Sequence, residues 1–90
     1  MFRLWCKLID SKGHVLRDTV ICNDDPDLNR TRKIFNSITE ACYEFDLSEP
    51  IWLDSNIREF QRSSKVRFNK DNFVEEISFA NFEIQVIEED

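Results

Sequence analysis

One glycine, Gly13, and two prolines, Pro26 and Pro50, are all that this 90-residue chain has of the residues that build linkers and tight loops. That scarcity leaves no flexible linker, no low-complexity tail and no glycine-rich cradle for a phosphate. Histidine occurs once, at His14, and cysteine three times, at Cys6, Cys22 and Cys42, without a Cys-x-x-Cys pair. Four metal ligands cannot be assembled from paired motifs, so no structural zinc is expected. An odd number of thiols at apolar-patterned positions reads as reduced cysteines used as small hydrophobes. No apolar run approaches the length that spans a membrane, and the chain opens directly on a strand-like alternation without a secretory pattern. These absences lead to the expectation of a cytoplasmic protein with no cofactor, no metal and no membrane partner.

What is present is enough for one core. Eight phenylalanines and two tryptophans stand within a hydrophobic fraction of 41%. A chain of this length buries roughly 60–65% of its unfolded surface, so residues 1–90 are expected to make a single domain. The organising stretch is residues 25 to 47. Asp25 stands where an N-cap belongs, Pro26 at the first helical position and Asp27 in the first turn. Leu28, Thr31, Ile34, Phe35, Ile38, Ala41, Cys42 and Phe45 recur at three- and four-residue spacing, which predicts one apolar stripe. Asn29, Arg30, Lys33, Asn36, Ser37, Glu40, Tyr43 and Glu44 fall on the other side. Pro50 blocks any continuation.

Such a helix needs a flat apolar partner. Phe2, Leu4, Cys6 and Leu8 alternate with Arg3, Trp5, Lys7 and Ile9, and residues 14 to 22 are rich in β-branched types. Asp10-Ser11-Lys12-Gly13 between them fits a hairpin turn. Pairing Asp10 with His14 then sets Leu8 against Leu16, Leu4 against Val20 and Phe2 against Cys22, with Lys7 opposite Arg17 on a second, mixed face. Ile51-Trp52-Leu53 is a brief strand or a buried extended segment. A shorter helix capped by Asp54 or Ser55 follows, and residues 65 to 68 alternate like a strand or form a loop. A short helix is expected within Asn69 to Ile77. Phe82 to Ile87 alternates as a last strand. The expected fold class is therefore α+β: a small antiparallel sheet, made of the N-terminal hairpin and the C-terminal strand, packed on one long amphipathic helix and one or two short ones.

Charge gives the only functional signal. The net charge is −6, yet Arg58, Arg62, Lys65, Arg67 and Lys70 face only Glu59 between residues 58 and 70, while the last twenty residues hold seven acids and no base. Basic residues interleaved with Phe60 and Phe68 can hold phosphates and stacked bases, which makes Arg58, Arg62, Lys65 and Arg67 a candidate anion or partner contact. The preferred reading has the phenylalanines in the core and the bases paired with the acidic C-terminal third. A chain acidic overall also argues against a dedicated nucleic-acid binder. Trp5, beside Arg3, Lys7 and Arg17, is a candidate protein contact, unless residues 51 to 68 cover it. Asp24, Asp25 and Asp27 cluster at a helix start, where capping explains them without a metal. No catalytic residues emerge: Cys42 lies on the buried stripe, and the hairpin register sets no cysteine beside His14.

Pro50-Ile51-Trp52-Leu53-Asp54, Asn56-Ile57-Arg58-Glu59-Phe60, Arg67-Phe68, Asp71-Asn72-Phe73 and the closing Phe82 to Glu88 together resemble a family of small uncharacterised bacterial proteins of about this length. The resemblance spans most of the chain. It implies a free-standing bacterial protein and transfers no activity, ligand or site residue. The reading that emerges is a non-enzymatic interaction or accessory module whose partner is another protein, with nucleic-acid or polyanion binding through residues 58–70 as the alternative.

Overall fold

A computed structural model describes residues 1–89, in the order β1 (Phe2–Ile9), β2 (Val15–Asn23), α1 (Arg30–Glu44), α2 (Asp54–Ser63), β3 (Lys65–Phe68), a 3-10 turn (Lys70–Asn72) and β4 (Asn81–Glu88). The fold is α+β. Its four strands form one antiparallel sheet in the order β2-β1-β4-β3, so the last strand in sequence lies inside the sheet, between β1 and β3. Helix α1 packs across β1 and β2, and α2 lies along β3. The core between them joins Phe2, Leu4, Phe82, Ile84 and Phe68 of the sheet to Ile34, Ile38, Ala41 and Cys42 of α1 and Phe60 of α2.

The main helix begins later than the sequence pattern implies. Asp25 does not cap it and Pro26 is not its first residue. Asp25 Oδ1 accepts from Asp27 N–H, and Leu28 N–H donates to the Asp25 carbonyl, so these residues close a turn of their own. Asn29 is the cap, with Oδ1 accepting from Arg32 N–H at 2.9 Å. An Asx turn competes with the helix for the same backbone groups, and here it wins for one turn. The far end closes without glycine. Asp46 takes φ +55°, and Leu47 N–H reaches back to the Cys42 carbonyl. An aspartate fills the left-handed position that a glycine usually takes.

The buried face of α1 is also rotated from the expected stripe. Ile34, Ile38, Ala41 and Cys42 are buried, but so are Lys33 and Ser37, while Thr31 and Phe35 are exposed. Lys33 can lay its methylene stem on apolar surface, and Ser37 is small enough to sit against the sheet. The Ser37 hydroxyl has no hydrogen-bond partner among the described residues.

The hairpin turn forms around Asp10, whose Oδ1 accepts from Lys12 and His14 N–H, with Gly13 at φ +86°. Its register is not the expected one. Phe2 faces Asn23, Leu4 faces Ile21, Cys6 faces Thr19 and Leu8 faces Arg17, because a bulge follows between Leu8 and Ile9 and leaves Leu16 as the extra residue. A one-residue slip sends every side chain of β2 to the opposite face. Ile21 therefore enters the core, while Leu16, Val20 and Cys22 are exposed. Lys7 stands opposite Asp18, and Arg17 lies on the helix side, over the Phe45 ring.

Two further segments differ from expectation. Residues 51 to 53 form no strand, and of the alternative, a buried extended segment, only Trp52 is half-buried, Ile51 and Leu53 being exposed. The helix expected within Asn69 to Ile77 is limited to the 3-10 turn. Asn72 explains both. Its Nδ2 donates to the Ile51 carbonyl and to Asn56 Oδ1, and its own carbonyl accepts from Ile51 N–H. Asn56 Oδ1 in turn holds Leu53 N–H, so α2 starts there and is capped neither by Asp54 nor by Ser55. A buried, satisfied amide network replaces the ladder that a strand would have needed.

Candidate binding groove between the two helices

Helices α1 and α2 do not close on each other. Between them runs a groove of about 300 Å³, lined by Arg30, Thr31, Ile34 and Phe35 of α1, Trp52 of the connection, and Ile57, Phe60 and Gln61 of α2. Trp52 forms its floor and is held edge-on by three rings, Phe35 at 6.0 Å, Phe60 at 5.6 Å and Phe68 at 5.0 Å. Edge-to-face packing of this kind fixes ring orientation. Phe35 and Ile57 stay more than 40% exposed, at 46% and 41%, and Ile51 and Leu53 add exposed apolar surface in the segment entering α2. Both Phe35 and Ile57 belong to the helical apolar pattern of the sequence, which cannot separate a core position from a groove wall.

Arg30 closes one end. Its guanidinium donates to Glu89 Oε1 and to Ser64 Oγ and lies 5.5 Å from the Phe60 ring. Glu89 thus already occupies the cationic end of the groove.

The four basic candidates do not form one patch. Arg58 and Arg62 lie on the exposed side of α2, and neither has a partner among the described residues. Lys65 and Arg67 project from β3 on the open face of the sheet, where Lys65 likewise has no partner among the described residues. Arg67 Nε pairs with Glu83 Oε1 at 2.8 Å, and Glu59 binds the Arg67 backbone. Among the described residues, pairing with the acidic C-terminal third therefore holds for Arg67 alone.

On the open face of the sheet the Arg67–Glu83 pair is joined by Lys7, a third member that sequence reasoning missed. Glu83 on β4 sits directly between Lys7 on β1 and Arg67 on β3, with Lys7 Nζ 2.6 Å from Glu83 Oε2. Glu83 is only 3% exposed and Lys7 9%, although no helix covers them. Trp5 supplies the cover: Lys7 Nζ lies 3.8 Å from its ring centroid, and its Nε1 donates to Asp18 Oδ2 at 2.9 Å. Burial pushes the Glu83 carboxyl up, but hydrogen bonds from Lys7 and Arg67 outweigh it and hold the group below the usual carboxylate range. Trp5 is thus half-buried by its own neighbours. Residue types alone offered one signal, the alternation that places Lys7 and Glu83 on the same side.

Burial pushes the Cys6 and Cys42 thiols up to about 12, which makes both inert. Cys22 is exposed. Among the described residues, no cluster of three His, Cys, Asp or Glu side chains is placed to hold a metal, and no helix is long and apolar enough to cross a membrane. No protein-family model, curated protein or solved structure matches the chain. The family resemblance therefore rests on the quoted residues alone and assigns no site.

Proposed function

We propose that this chain is a non-enzymatic interaction module that takes a short acidic segment of another protein into the groove between α1 and α2. The observation that supports this most is the pairing of an open aromatic floor with a cationic end that already accepts a carboxylate, Glu89 on Arg30. A leucine or phenylalanine anchor would cover Phe35, Trp52 and Ile57, and flanking acids would reach Arg30, Arg58 and Arg62. Apolar anchors set in a polar rim are the usual anatomy of such contacts. The cytoplasm is the compartment we infer, from three unpaired thiols.

Trp52 fluorescence in a Trp5→Phe background tests the reading, with acidic peptides carrying one leucine or phenylalanine anchor as the probe. Binding should be saturable and should be lost in Ile57→Glu. It should tighten in Glu89→Gln, because that change removes the internal competitor for Arg30. The alternative, polyanion binding through Arg58, Arg62 and Lys65, predicts retention on heparin that falls steeply with salt. Heparin binding without peptide binding would replace the proposal with that alternative.

A further inference from the structure

The two edges of the sheet are treated differently. On β3, Arg67 N–H donates to Glu59 Oε2 at 3.0 Å and the Lys65 carbonyl accepts from Ser63 Oγ at 3.1 Å. Side chains of α2 therefore occupy Arg67 N–H and the Lys65 carbonyl on that edge, which obstructs the addition of another strand there. On β2 the outward backbone groups have no partner among the described residues.

Which groups these are follows from the ladder. Because Lys65 and Arg67 turn outward on β3, Val66 and Phe68 bond to Ile84 and Phe82. Residues Glu83 and Gln85 then bond toward β1, and Leu4 and Cys6 bond toward Ile21 and Thr19 of β2. That leaves the N–H and C=O of Asp18, Val20 and Cys22 pointing away from the molecule. The edge holds no proline and no lysine, and its side chains on the open face include Val20 at 44% exposure.

We propose that β2 pairs antiparallel with β2 of a second copy of this chain, with Val20 on the two-fold axis. Three observations favour a second copy over another partner. Two-fold symmetry about an axis perpendicular to the sheet pairs residues of the same parity, so Val20 faces its own copy and Asp18 faces Cys22, which matches the free groups. The strand holds one base and one acid, Arg17 and Asp18, so the edge is neutral in a chain of net charge −6. In this register the two Asp18 side chains stand four residues apart along the strands, about 13 Å, beyond the Debye length of about 8–10 Å at physiological salt. Sliding the pair to centre on Asp18 or Arg17 would instead place like charges face to face.

Sedimentation over a concentration series should give a dimer of the full chain. Val20→Lys, whose side chain is on the open face and outside the core, should weaken the dimer about tenfold or more, and the variant should melt as the wild type does at concentrations where both are monomeric. Independently, Val20→Cys in a Cys22→Ser background should cross-link with itself on oxidation, since the facing Cα atoms would lie about 5.5 Å apart. Hydrogen exchange should protect the Asp18, Val20 and Cys22 amides only as concentration rises, while Thr19 and Ile21 stay protected throughout. A monomer at every concentration overturns the proposal, as does a dimer indifferent to Val20→Lys. Cross-linking through Thr19→Cys in place of Val20→Cys would overturn the register.

Discussion

Replacing Glu83 by glutamine tests whether the charge cluster on the open face is buried in the energetic sense. The substitution keeps the shape of the side chain and removes its charge. Lys7, 9% exposed, would then keep an ammonium beside a neutral amide. Breaking a buried pair from one side costs about 3–5 kcal/mol. The Trp5 ring, 3.8 Å from Lys7 Nζ, still faces the cation, and such a contact is worth roughly 1–2 kcal/mol, so the low end of the range applies. A loss of about 3 kcal/mol lowers the melting temperature of a domain this size by about 12–24 °C. Arg67 is the contrast. Its side chain is 56% exposed, so Arg67→Gln should cost no more than about 1 kcal/mol. Removing both buried charges, as Lys7→Met with Glu83→Leu, should recover most of the stability lost in Glu83→Gln. The folded-state pKa of Glu83 is lowered, so its contribution is present above the unfolded value of about 4.3 and is lost as pH falls through the lower folded value. Thermal and urea unfolding by circular dichroism, at neutral and acid pH, measure all of this. Equal stability of Glu83→Gln and Arg67→Gln at neutral pH would refute the reasoning, because it would make the whole cluster a solvated surface feature.

Ser37 now separates two accounts of α1: with a buried hydroxyl lacking a partner among the described residues, Ser37→Ala should be neutral or stabilising by up to about 1 kcal/mol, and Ser37→Asp should cost several. Ile38→Asp should be at least as damaging, whereas Asn36→Asp on the exposed side should stay within about 0.5 kcal/mol in chemical denaturation. Deleting Phe82 to Asp90 removes an interior strand and splits β1 from β3, so a sharp thermal transition in the truncated chain would contradict the topology. Alkylation followed by mass spectrometry should label Cys22 quickly and Cys6 and Cys42 only on unfolding. Because those two thiols are raised from 9.0 to about 12, the stability they contribute is full below the unfolded value and is lost as pH rises toward 12. Urea midpoints followed through alkaline pH should therefore fall, and less so in Cys42→Ala.

The local pattern of the sequence determined the kinds of element and roughly where they lie. Alternation in Phe2 to Ile9 and Phe82 to Ile87 specified strands, the recurrence from Ile34 to Cys42 specified a helix, and Asp10 with Gly13 specified the hairpin turn, because each signal is set by residues within a few positions of one another. Register was different. Val15, Leu16, Val20 and Ile21 put apolar groups on both faces of β2, so the pattern fits either register equally well, and the bulge at Leu16 chose between them by placing Ile21 in the core. Helix α1 posed the same problem: Phe35 and Ile34 are adjacent and equally apolar, and only the position of Trp52 and α2 left one as a groove wall and buried the other. Lys7, Glu83 and Arg67 are far apart in the chain and meet because β4 is inserted between β1 and β3. Strand order, register and the gap between helices depend on contacts between distant segments, and these are settled by the competition for one shared core that no local period records.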